Sequence, residues 1–137
     1  MNERQKTIVY LNNMGYSGKG MIEVVINELQ KMLGNLQQAI QVQKLTEDSQ
    51  LVELVQNKQY DYKTVITNIG PSPKTRAETI RHVRSQTNAP ILIYSAVIND
   101  EFKEETKEIH HITYIDVLEE RIPFSNLLAA VKEKLAI

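Results

Sequence analysis

The hydrophobic positions along the chain alternate between two spacings, one typical of buried strands and one typical of amphipathic helices. Short runs rich in Ile, Val, Leu and Tyr predict strands at residues 7–11, 39–45, 62–68, 89–96 and 112–117. Between these runs, apolar residues recur every three or four positions and predict helices. The apolar positions of the predicted helices are Met21, Val25, Leu29 and Met32, then Leu51, Leu54 and Val55, then Ala77, Ile80 and Val83, then Phe102 and Ile109, and finally Phe124, Leu127, Leu128, Val131 and Leu135.

Boundary residues divide these elements into an alternating series of strands and helices. A loop over residues 12–20 precedes the first helix, Gly34 ends it, and Pro123 fits the first turn of the last helix. Strands that alternate with helices over short connections favour a parallel sheet with right-handed crossovers. The sequence therefore predicts an α/β fold, a three-layer (βα)5 sandwich with a five-stranded parallel sheet, flavodoxin-like, in one domain spanning residues 1–137.

Composition excludes several classes of function. The chain has 137 residues, 42% of them hydrophobic, which is enough for one sizeable core. Its 16 Lys and Arg against 17 Asp and Glu, a net charge of −1, argue against nucleic-acid binding, which uses a surplus of basic residues. The absence of cysteine excludes disulfides, thiolate metal sites and a Cys nucleophile. No apolar run is long enough for a signal peptide or a membrane span, so we expect a cytoplasmic protein with no membrane partner.

Polar residues follow the predicted strands at the edge where sites of this fold class form. Ligands in open α/β sheets bind beyond the carboxyl ends of the strands. The residues found there are Asn12 and Asn13 after the first strand, Asn68 ending the third, Ser95 near the end of the fourth, and Arg121 before the last helix.

This arrangement resembles the receiver domain of bacterial two-component response regulators, over the whole chain and in the same order. The family pattern has an acidic pair after the first strand, a phosphoacceptor Asp after the third, Ser or Thr then Ala after the fourth, and Lys-Pro-Phe before the last helix. The segment 90–96, ending in Ser95 and Ala96, is the closest match. The resemblance implies a signalling module that acts on a protein partner.

The departures from that pattern indicate a pseudo-receiver. Asn12 and Asn13 stand at the acidic pair, Asn68 stands at the phosphoacceptor, and Ile122 stands at the Lys, with Arg121 one residue earlier. An amide is a poor nucleophile, and Mg²⁺ prefers anionic oxygens, so these positions predict neither phosphorylation nor a bound metal. The resemblance thus favours a non-enzymatic, phosphorylation-independent module with no cofactor, which binds another signalling protein or forms a homodimer.

Two alternatives remain open at the sequence level. The segment before the first predicted helix contains Gly15, Ser17, Gly18, Lys19 and Gly20, and amides at a helix N-terminus hold phosphate groups. One alternative is therefore a flavodoxin-like module for a small anion such as phosphate, a nucleotide or a flavin. The anion would lie at this N-terminus, in a strand-end pocket formed by Asn12, Asn13, Ser17, Lys19, Asn68, Ser95 and Arg121. The other is a relative of sugar-phosphotransferase IIB domains without its nucleophile, whose Cys would fall near Asn12. Glu119 or Glu120 would supply a carboxylate to the strand-end pocket only if the loop after the fifth strand folds inward.

Other features mark candidate contact surfaces. The resemblance places Tyr114 on the fifth strand as a switch residue, with Phe102 and Phe124 beside it as interface candidates, although packing on the sheet is the simpler role for Tyr114. The third predicted helix is basic, with Lys74, Arg76, Arg81, His82 and Arg84, and the fourth is acidic, with Asp100, Glu101, Glu104, Glu105 and Glu108. Solvated helix faces are the simpler interpretation of these charges. The pair His110 and His111 predicts no metal site.

Overall fold

The computed structural model describes residues 4–13, 15–96 and 98–136, with the backbone alone for 15–22. Strands and helices alternate along the chain. They are β1 (Gln5–Leu11), α1 (Gly15–Asn35), β2 (Gln41–Leu45), α2 (Asp48–Leu54), β3 (Tyr60–Thr67), α3 (Pro73–Gln86), β4 (Ile91–Ser95), α4 (Asp100–Thr106), β5 (Ile112–Asp116), a 3₁₀ turn (Val117–Glu119) and α5 (Ser125–Leu135). In the described part of the chain, no helix is long and apolar enough to cross a membrane.

The strands form one five-stranded sheet in the order β2-β1-β3-β4-β5, and every neighbouring pair is parallel. This confirms the predicted fold class. Because β1 lies inside the sheet and the chain crosses it in both directions, helices cover both faces. The carboxyl ends of β1 and β3 are adjacent, with Leu11 paired to Thr67.

Two hydrophobic cores lie on the two faces of the sheet, as strand alternation requires. The α1/α5 core joins side chains such as Ile8, Ile66 and Leu92 to helices α1 and α5. The α2–α4 core joins the intervening positions, such as Val9 and Val65, to helices α2, α3 and α4. These buried side chains hold the strand ends in fixed positions.

The start of α5 differs from the prediction. The helix begins at Ser125, and Phe124 is its N-cap residue in the left-handed region with φ of 67°, so Pro123 lies outside the first turn. The physical reason is Glu120, whose Oε2 accepts the backbone N–H of Asn126 at 2.8 Å and of Leu127 at 3.3 Å. This carboxylate satisfies amides that would otherwise lack partners and fixes where the helix starts.

The start of α1 also differs, because the helix begins at Gly15 and not after Gly20. Residues 15–20 of the segment predicted as a loop are therefore the first part of a helix. Helix α4 ends at Thr106, so Ile109 lies beyond it, although it still packs against the α2–α4 core. The remaining elements agree with the prediction to within a few residues.

Candidate functional site

The carboxyl edge of the sheet brings together three of the residues predicted for it. Asn12 and Asn68 follow the adjacent strands β1 and β3, and the backbone N–H of Asn68 donates to the carbonyl of Leu11 at 3.4 Å. Both Asn side chains are buried. Asn13 comes next and is half-buried, with its amide in contact with helices α2 and α3. These residues form a polar cluster at the point where the receiver resemblance places its acidic residues.

The centre of this cluster is Arg76, a residue that the sequence analysis placed on a charged helix face. Its side chain is only 1% exposed, which makes it one of the most deeply buried large side chains in the described part of the chain. Arg76 lies in the first turn of α3, after the N-cap Ser72. Because helical Cα–Cβ bonds tilt toward the helix N-terminus, its side chain reaches back to the strand ends.

Every nitrogen of the Arg76 guanidinium donates to at least one oxygen. Nε donates to Asp48 Oδ2 at 2.9 Å, and Nη2 donates to Asn13 Oδ1 at 2.7 Å and to Asp48 Oδ1 at 3.3 Å. Nη1 donates to Asn68 Oδ1 at 3.0 Å and also to the carbonyl of Asn68 and the hydroxyl of Thr67. The guanidinium is thus bound by strand ends and by α2, with no donor nitrogen left without a partner.

Asp48 supplies the negative charge that balances Arg76. It is the first residue of α2, where its carboxylate also accepts the hydroxyl of Thr79 at 2.7 Å and the amide of Asn13 at 3.2 Å. Burial raises the pKa of Asp48, but the hydrogen bonds from Arg76 and Thr79 and the charge of Arg76 outweigh burial and hold that pKa below its usual value. The pair is therefore ionised at neutral pH.

Gly70 makes room for this cluster. Its φ is +75°, and a Cβ at this position would lie 2.5 Å from Asn13 Oδ1 and 3.1 Å from Arg76 Nη2. Only glycine adopts this backbone conformation at no steric cost and leaves the space that the guanidinium and the amide fill. A glycine in the turn between β3 and α3 thus leaves the space that the Arg76 side chain occupies.

The cluster does not fit a divalent cation such as Mg²⁺. Asp48 is the one carboxylate bound to Arg76, and the guanidinium already carries the positive charge there. Across the described residues, no group of three or more His, Cys, Asp and Glu is placed to hold a metal ion. Hard cations need several anionic or carbonyl oxygens, and here those oxygens are bound to Arg76.

Asn12 and Asn68 differ in how their amides are used. Asn12 Nδ2 donates to the hydroxyl of Tyr10 at 3.2 Å, while burial raises the pKa of Tyr10 and that hydrogen bond lowers it. Asn68 Nδ2 is buried and has no hydrogen-bond partner among the described residues. Asn68 is therefore an acceptor for Arg76 through its oxygen, and its nitrogen contributes nothing to the cluster.

The other predicted site residues lie away from Arg76. Ser95 ends β4 and is buried, but it does not bond to the guanidinium. Arg121 is exposed in the β5–α5 loop. Glu120 accepts the hydroxyl of Tyr94, whose pKa is raised by burial and by this carboxylate. Glu120 is therefore used to hold the start of α5 and does not supply a carboxylate to the Arg76 cluster.

The switch and interface candidates are fixed by packing. Phe102 is fully buried, so its predicted place on a contact surface is not possible in this conformation. It meets Tyr114 edge-on, with ring centroids 6.4 Å apart, and the Tyr114 hydroxyl lies 2.6 Å from Thr106 Oγ1. Phe124 is half-buried against the α1/α5 core. Tyr114 thus packs on the sheet and is attached to α4, which agrees with the simpler of its two predicted roles.

Several charged side chains of α3 form ion pairs or hydrogen bonds within the protein. Arg81 forms ion pairs with Glu105 at 3.3 Å and Glu108 at 3.1 Å, so the basic helix contacts the acidic one directly. Arg84 donates to backbone carbonyls, including those of Thr87 and Ala89 at 2.9 Å each. Contact between neighbouring helices therefore explains the part of the charge pattern that involves Arg81.

The candidate anion-binding segment lies outside the described side chains. Gly15 to Gly20 belong to the first turns of α1, and only their backbone is described. The roles of Ser17 and Lys19 stay predictions. Sequence reasoning missed Asp48 as a site residue and Arg76 as its centre. The one available signal was that Arg76 shares a helix face with Ile80 and Val83, four and seven residues later.

No family model and no curated protein matches this chain. Solved structures do match it over almost its whole length. It is similar to the Vibrio cholerae chemotaxis protein CheY4, with 16% identity, 94% of this chain and 98% of that one covered, and a TM-score of 0.69. It is also similar to a Thermotoga maritima response regulator, with 14% identity, 97% and 99% covered, and a TM-score of 0.69.

A signal receiver domain from Clostridium thermocellum is similar as well, with 15% identity, 96% and 98% covered, and a TM-score of 0.68. At such identities the likeness establishes the fold alone. The chain has the receiver fold, as its residues predict.

Proposed function

We propose that this chain is a phosphorylation-independent, receiver-like signalling module that is not an enzyme and acts by binding another protein. The observation that carries the proposal is the Arg76 guanidinium, buried at the strand ends and bound by Asp48, Asn13 and Asn68. A phosphoryl-accepting site of this fold needs a carboxylate nucleophile and a metal ion to balance charge. Here an amide replaces the nucleophile, and a permanent cation replaces the metal.

The same observation weakens the alternative of an anion-binding site at the Arg76 cluster. A guanidinium binds phosphate through free N–H donors, often in pairs. All three Arg76 nitrogens already donate to oxygens of the protein, and Asp48 neutralises the charge. A phosphate group would have to displace these partners to bind there. The segment from Gly15 to Gly20 keeps its separate prediction as an anion site.

Exposed apolar side chains support a protein partner. Leu118 is 72% exposed and Ile122 is 69% exposed, both in the loop that joins β5 to α5. The receiver resemblance also implies that a partner binds the face formed by α4, β5 and α5, and this loop joins two of those elements. Large apolar groups exposed on a surface gain free energy when a partner covers them. The partner is then a signalling protein or a second copy of this chain.

The first test is phosphorylation. We expect the purified protein to gain no phosphoryl group from acetyl phosphate with Mg²⁺, as measured by intact mass spectrometry. Amide NMR shifts should likewise not change when Mg²⁺ and beryllofluoride are added. A receiver domain that keeps its phosphoacceptor Asp is the positive control. A covalent phosphoryl group on this chain, or saturable shifts around Asn12 and Asn68, would refute the proposal.

A gain-of-function series tests why phosphorylation is absent. The variant Asn12→Asp/Asn13→Asp/Asn68→Asp restores carboxylates, but we expect Arg76 to pair with them and still keep Mg²⁺ out. Adding Arg76→Ala should then allow Mg²⁺-dependent NMR shifts at the strand ends. Circular dichroism checks that each variant is folded. Mg²⁺ binding by the triple variant with Arg76 intact would show that the arginine does not exclude the metal.

The exposed loop with Leu118 and Ile122 is tested as a contact surface by measuring whether the protein forms dimers. If the partner is a second copy, sedimentation equilibrium should show a dimer that Leu118→Ser/Ile122→Ser weakens. The control is Val24→Ser, because Val24 is also an exposed apolar residue, at 45%, but lies on α1. A dimer that responds to Val24→Ser and not to the loop variant would place the interface elsewhere.

A further inference from the structure

A second group of cations lies at the amino end of the sheet, opposite the Arg76 cluster. Three lysines from separate elements line one cavity of about 170 Å³: Lys6 from β1, Lys63 from β3 and Lys134 from the last turn of α5. The remaining lining residues are Gln38, Ile40 and Leu135. We call this the lysine pocket. Residues far apart in the sequence thus place three ammonium groups around one concavity.

A β-bulge places Lys63 in the lysine pocket. Thr7 pairs with Tyr62 and Ile8 pairs with Thr64, so Lys63 is the extra residue in β3. In an unbroken strand Tyr62 and Ile66 would face the same side, but Tyr62 packs on the α2–α4 core and Ile66 lies in the α1/α5 core. The bulge lets Lys63 share a cavity with Ile40 and Leu135, which pack on the α1/α5 side. Bulges commonly re-aim a side chain next to functional sites.

The positive charge of the lysine pocket is only partly neutralised. Lys63 forms an ion pair with Asp61 at 3.0 Å. Lys6 and Lys134 form no ion pair with any described residue, and their side chains are exposed. The chain as a whole carries a net charge of −1, so this surplus is local. Like charges gathered around one concavity raise the local concentration of anions and are stabilised by an anion between them.

We propose that the lysine pocket binds a small phosphate-type anion, such as inorganic phosphate, pyrophosphate or a terminal phosphoryl group. Lysine ammonium groups act as compact point charges with three donors each and bind phosphate oxygens strongly. The cavity is smaller than the roughly 300–1,000 Å³ typical of sites for drug-sized ligands, so it suits the phosphate group itself. This binding is independent of the proposed signalling function, and either one stands without the other.

The test is a titration of the full chain with sodium pyrophosphate, then with phosphate, and with sodium chloride at matched ionic strength. We expect saturable amide NMR shifts at residues 5–7, 38–40, 62–64 and 133–135, larger with pyrophosphate than with phosphate. The variant Lys6→Gln/Lys134→Gln should bind pyrophosphate at least about tenfold more weakly by calorimetry, because two charge-assisted contacts are removed.

The matched control is Lys58→Gln, since Lys58 is an exposed lysine whose Nζ donates to Gln86 and which does not line the pocket. It should bind pyrophosphate as the unmodified protein does. Shifts that chloride reproduces, shifts that cluster at Asn12 to Gly20 instead, or an equal loss in Lys58→Gln and the double variant would each overturn the lysine pocket as a phosphate site.

Discussion

Both ends of the sheet carry cationic side chains, but the charge is buried and paired at one end and exposed to solvent at the other. At the carboxyl end Arg76 is 1% exposed, and its nitrogens donate to oxygens of Asp48, Asn13, Thr67 and Asn68. At the amino end Lys6 and Lys134 are exposed, with no carboxylate of the described chain bound to them. A buried charge must be neutralised within the protein, whereas an exposed one is neutralised by water and ions.

This difference separates two kinds of function. The Arg76 cluster is bound on all sides, so it stabilises one arrangement of the strand ends and leaves little for a ligand. The lysine pocket keeps donors that nothing in the described chain uses, so its charge is available to a ligand. We therefore expect substitutions at the carboxyl end to change mainly the free energy of unfolding, and substitutions at the amino end to change mainly anion binding.

The largest effect is expected from Arg76→Ala. Removing one partner of a buried ion pair leaves Asp48 without its opposite charge and the oxygens of Asn68 and Thr67 without the guanidinium donor, so we expect a loss of about 3–5 kcal/mol in the free energy of unfolding. Urea unfolding measures it. The control is Arg81→Ala, another arginine of α3 whose ion pairs are exposed, which should lose much less. Equal losses in the two variants would mean that burial of Arg76 is not what stabilises the fold.

The next effect is expected at Gly70, the residue that makes room for the cluster. Gly70→Ala forces alanine into the left-handed region, at about 1–2 kcal/mol, and pushes a Cβ against the Asn13 amide, so we expect a loss of about 2 kcal/mol or more. Gly34→Ala is the matched control. Gly34 lies in α1, and a Cβ there would have no neighbour within 4 Å, so alanine should stabilise the protein by about 0.5–1 kcal/mol. A stabilising Gly70→Ala would contradict the packing described for Asn13.

A smaller, pH-dependent effect is expected from Asp48. Its folded-state pKa is held below the usual value, so it contributes stability that is present above the unfolded pKa and lost as the pH falls through the folded pKa. Denaturation at a series of values from about pH 6 to about pH 2 measures this loss. The slope should be shallower in Asp48→Asn than in the unmodified protein. An unchanged slope would mean that Asp48 titrates alike in the folded and unfolded chains.

The fold was predictable from the sequence because its signal is periodic. Strand residues such as Ile8 and Leu92 sit in short apolar runs, and the helices repeat every three or four residues. Parallel pairing then follows because helices lie between the strands, but the order of the strands in the sheet does not follow from this alternation. The start of α5 was not predictable in this way, because Glu120 fixes it through a hydrogen bond to Asn126, across six residues.

The sequence predicted where the candidate site lies, but it did not predict the buried ion pair at its centre. Asn12, Asn13 and Asn68 were identified because strand ends are local features of the sequence. Arg76 was assigned to a solvated basic face because arginine is rarely buried, and burying it depends on Asp48, which is 28 residues away. Neither Arg76 nor Asp48, taken alone in the sequence, indicates that the two form a buried ion pair. Lys6, Lys63 and Lys134 were missed for the same reason, since a bulge and a helix end bring them together.

The smallest effect on stability is expected where the comparison predicts the largest effect on binding. Lys6→Gln/Lys134→Gln removes two exposed charges that have no ion pair in the described chain, so the free energy of unfolding should change by less than about 0.5 kcal/mol. Any change should be a slight gain at low salt that disappears at high salt, because like-charge repulsion is relieved and salt screens it. Urea unfolding at both salt concentrations measures it. A loss as large as that of Arg76→Ala would mean that the lysines hold the fold together, and the distinction between the two ends of the sheet would fail.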